Sequence, residues 1–505
     1  MFRIPILGRL SFMEYQSLVF AAIFFFIERI LRLFLFFIPV KLITRTLAKL
    51  TNSPQIKCPK NSIHNKDSFC DLMEYWGYPM EEHTVVTRDG YVLGIHRLLS
   101  RSPAESESDG YGNGKDGQRP PRPVVLLWHG FMMSSEVFVS IPEKENVMAL
   151  MLVDAGYDVW LGNSRGNKYS YRHLTKRTWQ TEFWDFAIDD LAMFDVPNTI
   201  DYILATTGVS KLAYIGFSQG TAQMFCALSS NAELNDKVSL FVALAPATTP
   251  RGFDSDVVNA MIKTSPQVLY LLLGRREALS IALTWQELLP TDLFVSVLDV
   301  CLDFLFGWKT LNMSPTTKAV CYHHLYSFSS VKSIVHWMQI IRTGRLQYYD
   351  EIPVTPNPVF RSGHFCHRYL TRQIRIPIAL FHGGRDSLSS AEQLITKELR
   401  KPVYVKEVPH YEHLDFLWAD DLRREVLDDL IAVLRSNDPN FPQPADDTVA
   451  MSLSDSEITL SGESEGTGSS RRISLDDDTT TGKAGNNHAA VATSYAEMNG
   501  TYSTN

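Results

Sequence analysis

Short runs of apolar residues at 124–128, 158–161, 212–215, 240–244, 378–381 and 403–408 alternate with longer segments whose apolar positions recur at helical spacing. A run that is apolar at nearly every position fits a strand covered on both faces. Such runs separated by helices predict βα units and a largely parallel sheet. Between 245 and 349 the strand signal stops, and helical stretches replace it, two of them strongly apolar (269–273 and 293–308). The expected fold class is therefore α/β, with a helical cap inserted into the sheet domain at about 246–350. The polar stretch 102–119 reads as a long surface loop between two strands.

The two ends have a different character. Residues 18–40 are almost entirely apolar but are interrupted by Glu28, Arg29 and Arg32. Each of these charges opposes insertion by about 2.5–3.5 kcal/mol, which nearly cancels the gain from the apolar residues. Basic residues flank both sides (Arg3 and Arg9; Lys41, Arg45 and Lys49), so charge bias selects no single orientation. The apolar run resumes after the charges with no small-residue cleavage signal, which argues against a removed secretory leader. Residues 1–50 are expected to form a membrane anchor, a hairpin or in-plane segment rather than a clean crossing. Residues 438–505, rich in Ser, Thr, Gly, Asp and Asn, are expected to be a disordered tail because they bury too little to offset ordering entropy. Within the tail, Arg471-Arg472-Ile473-Ser474 has the form of a basophilic kinase site, making Ser474 a candidate phosphosite. Residues 51–437 remain for the folded α/β domain.

Composition and charge narrow the function. The chain has 505 residues, 45% of them hydrophobic and 21% charged, which excludes a collagen-like or wholly disordered protein. Its formal charge of −8 falls entirely in the tail, where 438–505 holds eleven acidic and three basic side chains. A neutral body without a basic stripe argues against nucleic acid as the main partner. Cys58, Cys70, Cys226, Cys301, Cys321 and Cys366 are too scattered for a disulfide scaffold or a paired CxxC zinc site. They are read as mostly free thiols, as suits a cytosol-facing protein.

Gly216-Phe217-Ser218-Gln219-Gly220 matches the GxSxG pattern, and it lies between a strand at 212–215 and a helix at 221–228. Glycines at both ends permit a tight turn that holds the Ser218 hydroxyl at a helix N-terminus, where a developing anion is favoured. A serine hydroxyl is a poor nucleophile, so it needs a histidine base and a carboxylate to orient that base. The run 378–381 leads into Asp386, and 403–408 leads into two histidines, His410 and His413. Spacing leaves both histidines open, and Asp415 is a second, less well placed acid. Oxyanion donors are expected at the backbone N–H of Gln219 and, after the strand ending in Trp128-His129-Gly130, at that of Phe131. An HxxH metal reading of His410 and His413 lacks a third ligand, and His364, Cys366 and His367 make a weaker case. The chemistry calls for no metal and no cofactor.

Several stretches resemble the acid lipase family of α/β hydrolases, which includes gastric and lysosomal acid lipases and fungal membrane-anchored steryl ester hydrolases. They are YWGYPMEEHTVVTRDGYVLGIHRL from Tyr75, WHGFM from Trp128, AGYDVWLGNSRGNKYS from Ala155 and FWDFAIDDLAMFDVPNTIDYI from Phe183. GFSQGTAQ from Gly216, SVKSIVHWMQIIRTG from Ser330 and YEHLDFLWADD from Tyr411 complete the set. The resemblance implies an α/β-hydrolase fold with Ser218, Asp386 and His413 as its triad and Phe131 and Gln219 as its oxyanion donors. Two positions depart from the secreted members: Phe217 stands where His is common, and Glu412 where Asn is common. Phe217, the anchor and the few glycosylation sequons (Asn312-Met313-Ser314 and Asn499-Gly500-Thr501) make the chain more similar to the fungal steryl ester hydrolases. That likeness implies a neutral lipid ester as substrate and residence on lipid droplets or the endoplasmic reticulum membrane. A triacylglycerol lipase, another serine hydrolase such as a thioesterase, and a catalytically silent lipid-droplet tether are the rival readings.

Overall fold

The computed structural model describes residues 66–100, 122–250, 255–278, 288–351, 366–389, 391–400 and 402–437, with isolated positions outside these ranges. The loop at 102–119, the tail 438–505 with Ser474, and His364 lie outside the described residues, as does the apolar run 18–40 apart from isolated positions. Among the described residues no helix is long and apolar enough to cross a membrane.

Among the described residues nine strands form one sheet: β1 (Met80–Val86), β2 (Tyr91–Leu98), β3 (Val124–Trp128), β4 (Asp158–Gly162), β5 (Arg172–His173), β6 (Leu212–Phe217), β7 (Val238–Leu244), β8 (Ile378–Gly383) and β9 (Tyr404–Val408). Their order is β1-β2-β4-β3-β6-β7-β8-β9, with β5 pairing to β2. From β4 to β9 every pairing is parallel, whereas β1, β2 and β5 join antiparallel. The six runs read from the sequence are the six parallel strands, shifted by a few residues at their ends. The antiparallel β1, β2 and β5 were not among them. β1, with the sequence MEEHTVV, leaves most of its side chains partly or fully exposed and so lacks the continuous apolar signature.

The alternation of side chains divides the core into two layers. Val125, Leu127, Ile215 and Phe217 face one cluster, while Val124, Leu126, Trp128 and Tyr214 face the other. The chain steps from β3 outward to β4 on one side and to β6 on the other. A crevice opens where an α/β sheet reverses direction in this way, at the C-terminal ends of its strands. The loops after β3 and β6 meet there.

Among the described residues ten α-helices have seven or more residues: α1 (Phe69–Trp76), α2 (Met148–Asp154), α3 (Val196–Thr207), α4 (Gln219–Ser230), α5 (Asp256–Lys263), α6 (Pro266–Leu273), α7 (Thr291–Phe306), α8 (Pro315–Cys321), α9 (Val331–Thr343) and α10 (Asp428–Asn437). Between β7 and β8 the described residues form helices, α5 to α9, with only isolated β-bridges. α7 is apolar on more than one face. Phe294, Leu298 and Leu302 are buried in the main core, four residues apart, whereas Val297, Val300 and Phe304 are exposed. Cys70, Cys226, Cys301, Cys321 and Cys366 are free thiols.

Candidate active site

Ser218 lies between β6 and α4 at φ 53° and ψ −117°, in the left-handed half of backbone space that a side chain seldom occupies. Close packing around it explains the flanking glycines. A Cβ on Gly220 would lie 2.5 Å from the Trp128 carbonyl oxygen, and one on Gly216 would lie 2.8 Å from the Gly220 backbone. The same contacts show that the turn after β3 is pressed directly against the turn after β6. Hydrogen bonds hold the strained residue in place: Ser218 N–H donates to the Leu244 carbonyl at 3.1 Å, and the Thr221 hydroxyl donates to the Ser218 carbonyl at 2.6 Å.

The turn after β9 brings His413 to this serine. His413 Nε2 is 2.7 Å from Ser218 Oγ, and His413 Nδ1 is 2.8 Å from Asp386 Oδ2. A carboxylate only accepts, so Nδ1 carries the proton and Nε2 is left to accept from the serine hydroxyl. Asp386 sits in the turn after β8, where its other oxygen accepts the N–H groups of Leu388 (2.9 Å) and Ser389 (3.2 Å). These bonds fix the carboxylate plane. Ser218, Asp386 and His413 are 8%, 9% and 3% exposed, so the three side chains are largely shielded from water.

The alternatives left open by spacing lie elsewhere. His410 Nε2 faces Asp421 at 3.6 Å. Asp415 accepts from Asn312 Nδ2 (2.8 Å) and from Glu412 N–H (2.6 Å), and burial raises its carboxyl to about 6. It braces the histidine loop rather than meeting the imidazole. His410 and His413 thus serve different partners, and Cys366 Sγ donates to the Tyr348 carbonyl. No group of three or more metal-ligating side chains occurs among the described residues.

On the oxyanion side, no backbone hydrogen bond among the described residues takes up the N–H of Phe131 or Gln219. The turn carrying Phe131 is fixed by His129, whose Nδ1 lies 2.8 Å from the Gly130 carbonyl and whose Nε2 accepts Ser164 N–H at 3.1 Å. Full burial lowers the His129 pKa to about 4, so this ring is neutral and structural at ordinary pH. Met132, next in the turn, has φ 57°, and its carbonyl accepts Ser327 N–H at 2.6 Å.

Two aromatic residues and one acid around His413 escaped the sequence reading as site residues. Trp308 stacks on the imidazole, with ring centroids 5.2 Å apart and planes 14° apart, and Phe217 approaches it at 5.0 Å. Glu412 accepts the backbone N–H groups of Lys309 and Thr310. No spacing rule marks Trp308, which ends an apolar helical run and looks like core. Glu412 stood out only as a departure from a family pattern. Trp337 was likewise unmarked; its indole N–H donates to the Gln219 side chain at 2.7 Å. Both amide-nitrogen contacts of Asn312 point inward, to Asp415 and to the His410 carbonyl, so glycosylation at this sequon would break the packing of the histidine loop.

Residues 123–420 match a family described as alpha/beta hydrolase fold, and residues 69–141 match a partial alpha/beta-hydrolase lipase region. Among similar proteins, one Schizosaccharomyces pombe protein described as a probable lipase is 39% identical over 436 residues, spanning 84% of this chain and 94% of that protein. A second probable lipase of the same yeast is 39% identical over 450 residues, 86% of this chain and 94% of its own length. Human gastric triacylglycerol lipase is 34% identical over 377 residues, 72% of this chain and 89% of that enzyme.

Proposed function

Because this chain belongs to the alpha/beta hydrolase fold family and, within it, to the lipases that include the human gastric enzyme, we propose that Ser218, His413 and Asp386 carry out its ester hydrolysis. The chain is a carboxylic ester hydrolase. In the proposed mechanism His413 Nε2 takes the hydroxyl proton as Ser218 Oγ attacks the ester carbonyl. Asp386 holds the imidazole and stabilises the imidazolium. The N–H groups of Phe131 and Gln219 receive the oxyanion, assisted by the start of α4. His413 then returns the proton to the departing alcohol. Water, activated by the same imidazole, releases the acid from Ser218. The observation that carries this reading is the hydrogen-bonded run from Ser218 through His413 to Asp386.

The substrate we propose is a water-insoluble neutral lipid ester, with steryl esters first, cleaved to sterol and fatty acid at a lipid-droplet or endoplasmic reticulum surface. Phe217 and the apolar run 18–40, read as an anchor, favour this choice. Triacylglycerol is the second reading, favoured by the 34% identity to human gastric triacylglycerol lipase. Purified full-length enzyme and Ser218→Ala should be compared on cholesteryl oleate and on triolein in the same dispersion. Steryl ester turnover that vanishes in the variant is expected, and turnover of triolein alone would overturn the preference. A chain that hydrolyses neither and takes no fluorophosphonate at Ser218 would be a tether rather than an enzyme.

A further inference from the structure

Gly307, at φ 75°, ends α7 and turns the chain back against the loop that carries His413. Residues 308–312 are fastened to that loop at almost every step. Lys309 N–H donates to Glu412 Oε1 at 2.8 Å and Thr310 N–H to Glu412 Oε2 at 2.7 Å, so each carboxylate oxygen takes one donor. Asn312 Nδ2 donates to the His410 carbonyl and to Asp415, and Asp420 N–H donates to the Asn312 carbonyl at 2.9 Å. Thr310 is buried at φ 51°, a conformation that a β-branched residue keeps only where its surroundings impose it. The first residue of this brace is Trp308, flat against the imidazole. The indole N–H donates to Ser387 Oγ at 3.1 Å, and Ser387 follows Asp386 directly. One side chain therefore touches the base and the loop of the acid together.

We propose that Glu412 and Trp308 are positioning residues for His413. Glu412 grips the backbone of 309 and 310, that grip sets the indole plane, and the indole holds the imidazole in the orientation that joins Ser218 to Asp386. Hydrogen bonds at two ring nitrogens leave the ring free to rock about the line between them, and a stacked plane opposes that motion. The assignment also explains why the acid at 412 is buried beside the base without pairing with it: its oxygens are spent on two backbone donors. This inference rests on the triad reading above.

The test uses the purified full chain and the variants Glu412→Gln, Trp308→Leu, Trp308→Phe and Ser218→Ala. Glutamine is isosteric but offers one acceptor oxygen to two donors. The readouts are kcat and KM on p-nitrophenyl butyrate, the rate of fluorophosphonate labelling, and thermal unfolding, all normalised to folded protein. We expect Glu412→Gln and Trp308→Leu each to lower kcat and labelling rate by about tenfold or more, the scale of a slightly misplaced catalytic group. KM should be unchanged, and Trp308→Phe should recover most of the loss seen with leucine. Wild-type kcat and labelling in both Glu412→Gln and Trp308→Leu, with Ser218→Ala inactive, would overturn the positioning role and leave the triad standing. An active Ser218→Ala would instead overturn the triad itself. If Glu412→Gln does not fold, the contrast between leucine and phenylalanine at 308 decides.

Discussion

Ser218 keeps an unfavourable backbone conformation between two glycines that leave no room for a Cβ, so the direction of its hydroxyl is set by the fold. The acid is held just as firmly, by two backbone N–H groups on one oxygen and the imidazole on the other. Asp386→Asn should preserve this geometry but remove the acceptor that fixes the tautomer. Its kcat on a soluble ester should fall by about 10⁴-fold with little change in unfolding midpoint, and a loss under tenfold would make another group the orienting acid. Glu136 is a second fixed carboxylate, wholly buried and bonded to Lys168 Nζ at 2.6 Å and His324 Nδ1 at 2.7 Å. Burial pushes its carboxyl up, but His324 and Lys168 outweigh that and bring it down to about 2. With the folded pKa below the ordinary value of 4.5, the stability it supplies is whole above about 4.5 and is lost as pH falls toward about 2. Urea unfolding across that window should show a weaker pH dependence in Glu136→Gln than in the wild type, and parallel curves would refute the assignment.

Among the elements, those with an unbroken apolar signature could be read from the sequence, and those whose identity depends on neighbours could not. β3, β4, β6 and β7 are buried on both faces, so their sequences carry the evidence within themselves. β1 is polar and partly exposed, and only its register with β2 makes it a strand. The turn at Ser218 was legible for the same reason: its glycines answer to local sterics. Trp308 and Glu412 act across more than a hundred residues of chain, and no periodicity encodes that meeting. Arg165 is a comparable long-range tie, following β4 and reaching both the β1–β2 turn and the start of α3. Its guanidinium is 2.7 Å from Asp195 and 2.6 Å from Asp89 and lies over the Tyr91 ring at 4.0 Å. Replacing it by leucine would leave buried Asp195 with the backbone N–H of residue 165, at 2.9 Å, but without its cation. Chemical denaturation of Arg165→Leu should show a loss of about 3–5 kcal/mol, and a cost below about 1 kcal/mol would show that the carboxylates find other partners.

At the scale of the whole molecule, the parallel sheet is built from pieces distant in the chain. β7 pairs with β8 through Phe241↔Ile378, with the entire run of α5 to α9 between them, and the imidazole reaches a serine 195 residues earlier. Pairings that close such long loops form late, because chain entropy is given up before any contact repays it. In a chain emerging from the ribosome, the segment of the serine turn is therefore synthesised well before β9, the strand that leads into His413. Until that last strand docks, the Ser218 hydroxyl has no imidazole beside it and is an ordinary, weakly nucleophilic alcohol. Renaturation from urea should show the same delay, with far-ultraviolet circular dichroism recovering before ester turnover. Simultaneous recovery of the two signals would mean that the sheet closes in a single step.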